Sequence, residues 1–124
     1  TSSSDGTKLA AVVYGGNIRT STDSGGTWRN SEAGFRYQDW QAIVSSSDGT
    51  KLAAVYPVSA VSANAGNIWT STELGGTWTD LTGIRKGWAA IASSSGGTEL
   101  AVVGGANDPN IWMSTDSGRT WAGW

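Results

Sequence analysis

The sequence predicts an all-β protein assembled from repeated four-stranded antiparallel sheets. Three observations carry this prediction. Near-copies of one unit run from end to end of the 124 residues. The copies are spaced by 50 and then 43 residues, measured between Trp28, Trp78 and Trp121, which suits propeller blades of about 40–50 residues. Within a unit, short apolar stretches alternate with turns rich in Gly, Asp and Ser, and no helical period appears. Four strands per repeating unit is the arithmetic of a β-propeller blade.

The elements follow in chain order. Ser2 to Val12 reads SSSDGTKLAAV, returns almost unchanged at Ser45 to Val55, and returns more loosely as SSSGGTELAV at Ser93 to Val102. Asp5-Gly6 and Asp48-Gly49 are hairpin signals, because Gly accepts the positive φ that tight hairpins need. The apolar runs after them, Leu9–Tyr14 and Leu52–Tyr56, read as the second strand of their units. Asn67–Ser71 reads as the third strand, with Gly16-Asn17-Ile18 and Asn110-Ile111 as its counterparts. An octapeptide turn comes next, and Trp78-Thr79 opens a short fourth strand. The innermost strand is Trp40–Val44 (WQAIV), matched by WAAIA from Trp88. The extra length of the middle unit falls at Pro57–Ala65, in a loop, where added residues cost little. The chain is read as one domain with units at about 1–39, 40–87 and 88–124.

Unit one starts directly before its second strand, so it lacks the innermost one. Trp124 is not a substitute. Outermost and innermost strands lie about 14 Å apart, and the three steps from Trp121 to Trp124 reach at most about 11 Å. Three blades do not close a ring, since propellers take about 4–8. Both ends are therefore expected to expose blade faces and strand edges that other copies, or a longer chain, complete.

The octapeptide is the strongest motif. It reads STDSGGTW at Ser21–Trp28, STELGGTW at Ser71–Trp78 and STDSGRTW at Ser114–Trp121. A short Asp side chain accepts hydrogen bonds from nearby backbone N–H groups and pins a turn. That role falls to Asp23 and Asp116, with Glu73 in the middle copy, where one extra methylene should loosen the turn. Gly25, Gly75 and Gly118 permit positive φ. Ser21, Ser71 and Ser114 bond across the turn, and Trp28, Trp78 and Trp121 are expected to anchor it in the apolar interior. The pattern Ser-x-Asp-x-Gly-x-x-Trp, three times at blade spacing, resembles the Asp-box (BNR) repeat family of β-propellers over nearly the whole chain. That resemblance implies a turn between the third and fourth strands of each blade. It also implies kinship with sialidases and with non-catalytic propellers such as photosystem II assembly factors and surface proteins.

Composition narrows the function. The net charge of −2 and pI of about 4.8 argue against nucleic acid as a partner. Cys and His are both absent, which removes thiolate chemistry, the commonest general base and the commonest metal ligand. Each octapeptide offers one carboxylate, so no metal loop and no cofactor is expected. No apolar run is long enough for a membrane span, and no signal peptide precedes Thr1, as in a secreted protein already trimmed.

A sialidase-like activity, by the resemblance, needs three arginines on a carboxylate, a Tyr–Glu nucleophile pair and an Asp acid/base. The arginines are Arg19, Arg29, Arg36, Arg85 and Arg119, and Phe35-Arg36-Tyr37 is only a faint echo of the family's arginine motif. Tyr14, Tyr37, Tyr56, Glu32, Glu73 and Glu99 show no pairing of the kind a two-carboxylate hydrolase uses. Trp69 and Trp112, with Arg19 at the equivalent position of unit one, are candidates for stacking on glycans; the competing reading packs them between blades. The expected function is a non-catalytic extracellular scaffold that self-associates head to tail, as a ring or a filament. A lectin-like glycan binder is the alternative, and a sialidase-type hydrolase a weaker one.

Overall fold

A computed structural model of the chain describes residues 1–31, 38–57, 66–80, 86–105 and 108–124. The strands are β1 (Leu9–Val12), β2 (Tyr14–Gly16), β3 (Ile18–Ser21), β4 (Arg29–Asn30), β5 (Gln38–Asp39), β6 (Ala42–Ser45), β7 (Leu52–Val55), β8 (Ile68–Ser71), β9 (Thr79–Asp80), β10 (Trp88–Ser93), β11 (Leu100–Gly104), β12 (Ile111–Ser114) and β13 (Ala122–Gly123). They form a three-stranded sheet β1-β3-β4 and two four-stranded sheets, β6-β7-β8-β9 and β10-β11-β12-β13, all antiparallel. These are three blades, the first without its inner strand. Thr1 and Ser2 form only a stub there, with Ser2 bridged to Leu9.

The register repeats. Leu9 faces Ser21, Leu52 faces Ser71 and Leu100 faces Ser114. Two boundaries differ from the sequence reading by more than one residue. The second strand of blade one stops at Val12, and Tyr14 instead opens the ribbon β2-β5 with Gln38 and Asp39. The cause is local: Gly15 takes φ 64° and Gly16 N–H bonds back to Val13 C=O at 2.9 Å, which turns the chain out of the sheet. The inner strand of blade two begins at Ala42, after a bulge in which Gln41 N–H bonds to Val55 C=O at 2.9 Å.

The core lies in wedges between consecutive blades. In the first wedge, Ile18 and Val12 of blade one meet Trp40, Ala54, Tyr56, Trp69 and Trp78 of blade two. In the second, Val55, Ile68 and Ala42 of blade two meet Trp88, Val102, Trp112 and Trp121 of blade three. Each blade thus has a leading face, carrying aliphatic residues, and a trailing face, carrying the large aromatics. Period-two alternation along each strand sends its side chains to the two faces in turn.

Candidate functional site

Both turn types sit at one end of each blade. In the first octapeptide the Ser21 hydroxyl donates to Asp23 Oδ1 at 2.8 Å and accepts from Gly25 N–H at 2.9 Å. Asp23 accepts from Thr27 N–H at 2.8 Å and from the Thr27 hydroxyl at 2.6 Å. The third octapeptide repeats this set through Ser114, Asp116, Gly118 and Thr120. These bonds favour the ionised carboxylate, so the Thr27 hydroxyl and N–H hold Asp23 at a pKa of about 2, and Thr120 does the same for Asp116. In the middle copy Ser71 still accepts from Gly75 N–H at 2.9 Å. Glu73, however, receives only the Thr77 hydroxyl at 3.5 Å, a weak contact. The extra methylene carries its carboxylate past the backbone donor.

Gly25, Gly75 and Gly118 adopt φ of 89°, 82° and 89°. The residue before each, Ser24, Leu74 or Ser117, is also left-handed, with φ of 59°, 52° and 59°. The octapeptide alone shows no reason to expect that second left-handed position.

A second carboxylate lock escapes the sequence reading. The Ser3 hydroxyl donates to Asp5 at 2.7 Å, and Asp5 also accepts from Thr7 N–H and the Thr7 hydroxyl at 3.0 and 2.8 Å. Ser46, Asp48 and Thr50 repeat it. Ser3 and Ser46 lead the causes that lower Asp5 and Asp48 to pKa values of about 2. Its signal in the sequence is the spacing Ser-x-Asp-x-Thr around the turn glycine. Blade three has Gly96 in place of the Asp, and this lock is lost there. The two turns of each blade are joined by Ser24 N–H to Thr7 C=O, Leu74 N–H to Thr50 C=O and Ser117 N–H to Thr98 C=O, at 3.0, 2.8 and 2.8 Å.

The same end carries the joints between blades. Ser4 N–H donates to Ser47 C=O and Ser47 N–H to Ser95 C=O, both at 2.7 Å. Lys8 Nζ reaches Asp48 C=O at 3.0 Å, and Lys51 Nζ reaches Gly96 C=O at 3.1 Å. Trp78 Nε1 donates to the Ser31 hydroxyl at 2.6 Å, which in turn donates to Gly75 C=O.

The predicted site residues distribute over these joints. Trp78 and Trp121 pack against the preceding blade's wedge. Trp28 does not: it is 42% exposed, which corrects the expectation that all three octapeptide tryptophans anchor in the interior. Its indole lies on the trailing face of blade one, where no blade among the described residues covers it. Arg19, on the same face, is exposed for the same reason. Trp69 and Trp112 lie in the wedges rather than on an open surface. Lys86 stands 4.4 Å over the Trp112 ring and pairs with Asp108 at 2.6 Å, and Trp112 Nε1 donates to the same carboxylate. The Lys86 ammonium leads the causes that hold Asp108 below the usual carboxylate range.

Arg19, Arg29 and Arg119 are exposed on separate elements. Arg36, Arg85, Phe35, Tyr37, Glu32 and nearly all of the 57–65 insertion lie outside the described residues. Among the described residues no group of three or more His, Cys, Asp or Glu is placed to hold a metal, and no helix is long and apolar enough to cross a membrane. A polar cleft of about 580 Å³ opens between blades two and three, lined by Lys51, Thr70, Thr79, Asp116 and Arg119 among others. Its carboxylate is already engaged by Thr120 and Ser114.

No protein-family model matches the chain, and no curated protein matches it in sequence. Solved structures do match. YCF48 bound to D1 peptide superposes with a TM-score of 0.69 at 16% identity, covering 98% of this chain and 38% of that one. The GH74 xyloglucanase from Xanthomonas campestris gives 0.66 at 17% identity, over 94% of this chain and 18% of the enzyme. Dipeptidyl peptidase 4 of Porphyromonas gingivalis gives 0.62 at 15%, over 99% and 18%. The chain therefore has the β-propeller blade fold and spans well under half the length of each neighbour.

Proposed function

We propose that the chain is a non-catalytic array of Asp-box blades, working outside the cell as a scaffold that joins copies of itself head to tail. One observation carries this reading. Positions buried at the internal joints are open at the two outer faces. Ile18 and Ile68, on the leading faces of blades one and two, are 1% exposed, whereas Ile111 on the leading face of blade three is 48% exposed. Val103 and Met113 are exposed beside it, and Trp28 and Val13 are exposed on the opposite, trailing face. The leading face offers aliphatic knobs, as in each internal wedge; the trailing face offers Trp28 and Val13, with Arg19 where the internal wedges have Trp69 and Trp112. Ser95 N–H and Ser4 C=O stand where the next backbone rung would form.

Light scattering on the purified chain across a dilution series tests this. A discrete small multiple of 12.8 kDa supports a closed ring. A very large or fibrous particle supports an open filament. A well-folded monomer throughout overturns self-association. A fluorogenic sialoside is expected to show no turnover; turnover would overturn the non-catalytic reading.

Glycan binding is the second reading. Exposed aromatics favour it, but among the described residues these are Tyr14, Trp28 and Trp124 rather than Trp69 and Trp112. Sugar titration of the intrinsic fluorescence would support it by a saturable change.

A further inference from the structure

The joint between blades two and three differs from the first joint where the octapeptides themselves differ. Glu73 stands where the other copies have Asp23 and Asp116, and Arg119 stands where they have Gly26 and Gly76. Both departures bear on one place, the polar cleft between blades two and three, which Thr77 lines from blade two and Arg119 from blade three. Thr27 and Thr120 each commit N–H and hydroxyl to the octapeptide carboxylate, at 2.8 and 2.6 Å. Thr77 gives only its hydroxyl to Glu73, at 3.5 Å, and its N–H meets no acceptor among the described residues. Arg119 is exposed, and its guanidinium makes no ion pair or hydrogen bond among the described residues.

The first joint is tied where the second is not. Ser31, just after β4, accepts from Trp78 Nε1 and donates to Gly75 C=O, which binds blade one to the octapeptide of blade two. In the second joint Trp121 Nε1 turns to its own Gly118 C=O at 2.9 Å. The cleft there measures about 580 Å³, within the range of ligand pockets. Its one carboxylate, Asp116, is held by Ser114 and Thr120. Lys51 Nζ gives one of its three protons to Gly96 C=O at 3.1 Å. What remains is rich in donors: the guanidinium, the rest of the ammonium, Thr77, and the hydroxyls of Thr70, Thr72 and Thr79, which bond to no described residue. Two cations against one committed carboxylate make the cleft locally positive in a chain of net charge −2.

We propose that this cleft binds a saccharide that carries an oxyanion group, a carboxylate or a sulfate ester. Arg119 takes the oxyanion through two N–H groups, a geometry that a guanidinium fits and an ammonium does not. Lys51 adds charge from the wall of blade two. The threonine hydroxyls both donate and accept, so they pair with the hydroxyls of a sugar ring. A neutral sugar leaves Arg119 unanswered, and an apolar ligand leaves the whole donor set unpaired. The site goes beyond the scaffold reading, needs no second copy, and is separate from the exposed aromatics.

The test is fluorescence anisotropy with labelled tetrasaccharides of a hexuronate, a sulfated hexose and an unsubstituted hexose, each titrated with the full chain. Saturable binding of at least one acidic probe is expected, and the probe that binds identifies the oxyanion. Removing the oxyanion from the probe, or Arg119→Gly in the chain, should each weaken binding about tenfold or more. Arg119→Gly installs the residue that the other two octapeptides carry, so the turn keeps its own bonds. Adding Gly26→Arg to that variant returns the net charge at the first octapeptide and should leave the loss in place. Glu73→Asp should weaken binding about threefold while raising Tm, because the same Thr77 groups serve the ligand or the turn. Absence of saturable binding overturns the proposal, as does equal binding of the unsubstituted probe or undiminished binding by Arg119→Gly. Rescue by Gly26→Arg overturns it too, since net charge rather than place would then decide. Displacement of the probe by inorganic sulfate, mole for mole, would mark a bare anion hole and overturn the saccharide assignment.

Discussion

The Ile18, Ile68 and Ile111 series offers a built-in control, because one residue type occupies one register position in three blades. Truncation to Ala should cost each joint in proportion to what covers it. Ile18 and Ile68 are 1% exposed and packed in closed wedges, so each Ala substitution loses the transfer energy and leaves a cavity. Such changes cost about 2–5 kcal/mol. Ile111 is 48% exposed and bounded on one side only. About half of the ~1.5–3 kcal/mol for burying an aliphatic side chain is at stake, and no enclosed void forms, so the cost is about 1 kcal/mol. For a domain near this size, 1 kcal/mol moves Tm by roughly 3–6 °C. Urea unfolding of dilute chain, followed by tryptophan fluorescence, reads all three variants on one scale, provided the slope m stays constant. Ile18→Ala and Ile68→Ala should fall together, well below Ile111→Ala. Equal losses at all three positions would refute the assignment of wedges and open faces. Where copies associate, the Ile111→Ala penalty should grow with protein concentration, because the joint it weakens is then intermolecular.

Four further outcomes follow from the turns. Glu73→Asp should raise Tm by roughly 2–6 °C, because the shorter carboxylate regains the Thr77 N–H and Ser71 hydroxyl bonds made in the other copies; an unchanged melt would count against the lock. Gly96→Asp should stabilise the chain by about 1 kcal/mol by completing the Ser94–Thr98 hairpin lock, and a Cβ there has room, with Thr98 Oγ1 nearest at 3.9 Å. Gly118→Ala should cost more than Gly25→Ala, although both take φ 89°, because a Cβ at 118 meets Thr70 of the preceding blade at 2.9 Å while at 25 it meets Leu9 at 3.4 Å; equal losses would sink the close-approach argument. Acid titration should show stability held above pH about 4 and lost progressively towards pH about 2. Asp5, Asp23, Asp48 and Asp116 titrate near 2 in the folded chain but near 3.8 when free, so the unfolded chain takes up protons first as pH falls; melts that are flat across this window would contradict it.

Much of the fold is legible because a repeat shows its rules more than once. The register of Leu9, Leu52 and Leu100 against the octapeptide serines follows from the matched spacing of hairpin, strand and turn. The exposure of Trp28 is not legible in the sequence, for a physical reason. Trp28 closes the same Gly-Gly-Thr-Trp turn as Trp78, but burial depends on the preceding blade, and a motif carries no information about what stands opposite it. The joints made by Lys8 and Lys51 are not legible either: their partners are backbone carbonyls 40 and 45 residues away, and a carbonyl has no letter in the sequence. Leu74 at φ 52° is the clearest limit, since its left-handed state is imposed by the turn against its own preference.

The hairpin bonds between blades have one further consequence. Ser4 gives its proton to Ser47, Ser47 gives its own to Ser95, and the lysines point the same way. The array is therefore a vector, with a donating terminus and an accepting one. Two such vectors meeting nose to nose would set donor against donor, so the twofold dimer that serves most soluble proteins is disfavoured on these surfaces. On the head-to-tail association proposed above, growth would have a fast and a slow end, and a single blade with one face blocked would act as a cap on one face and leave the other open.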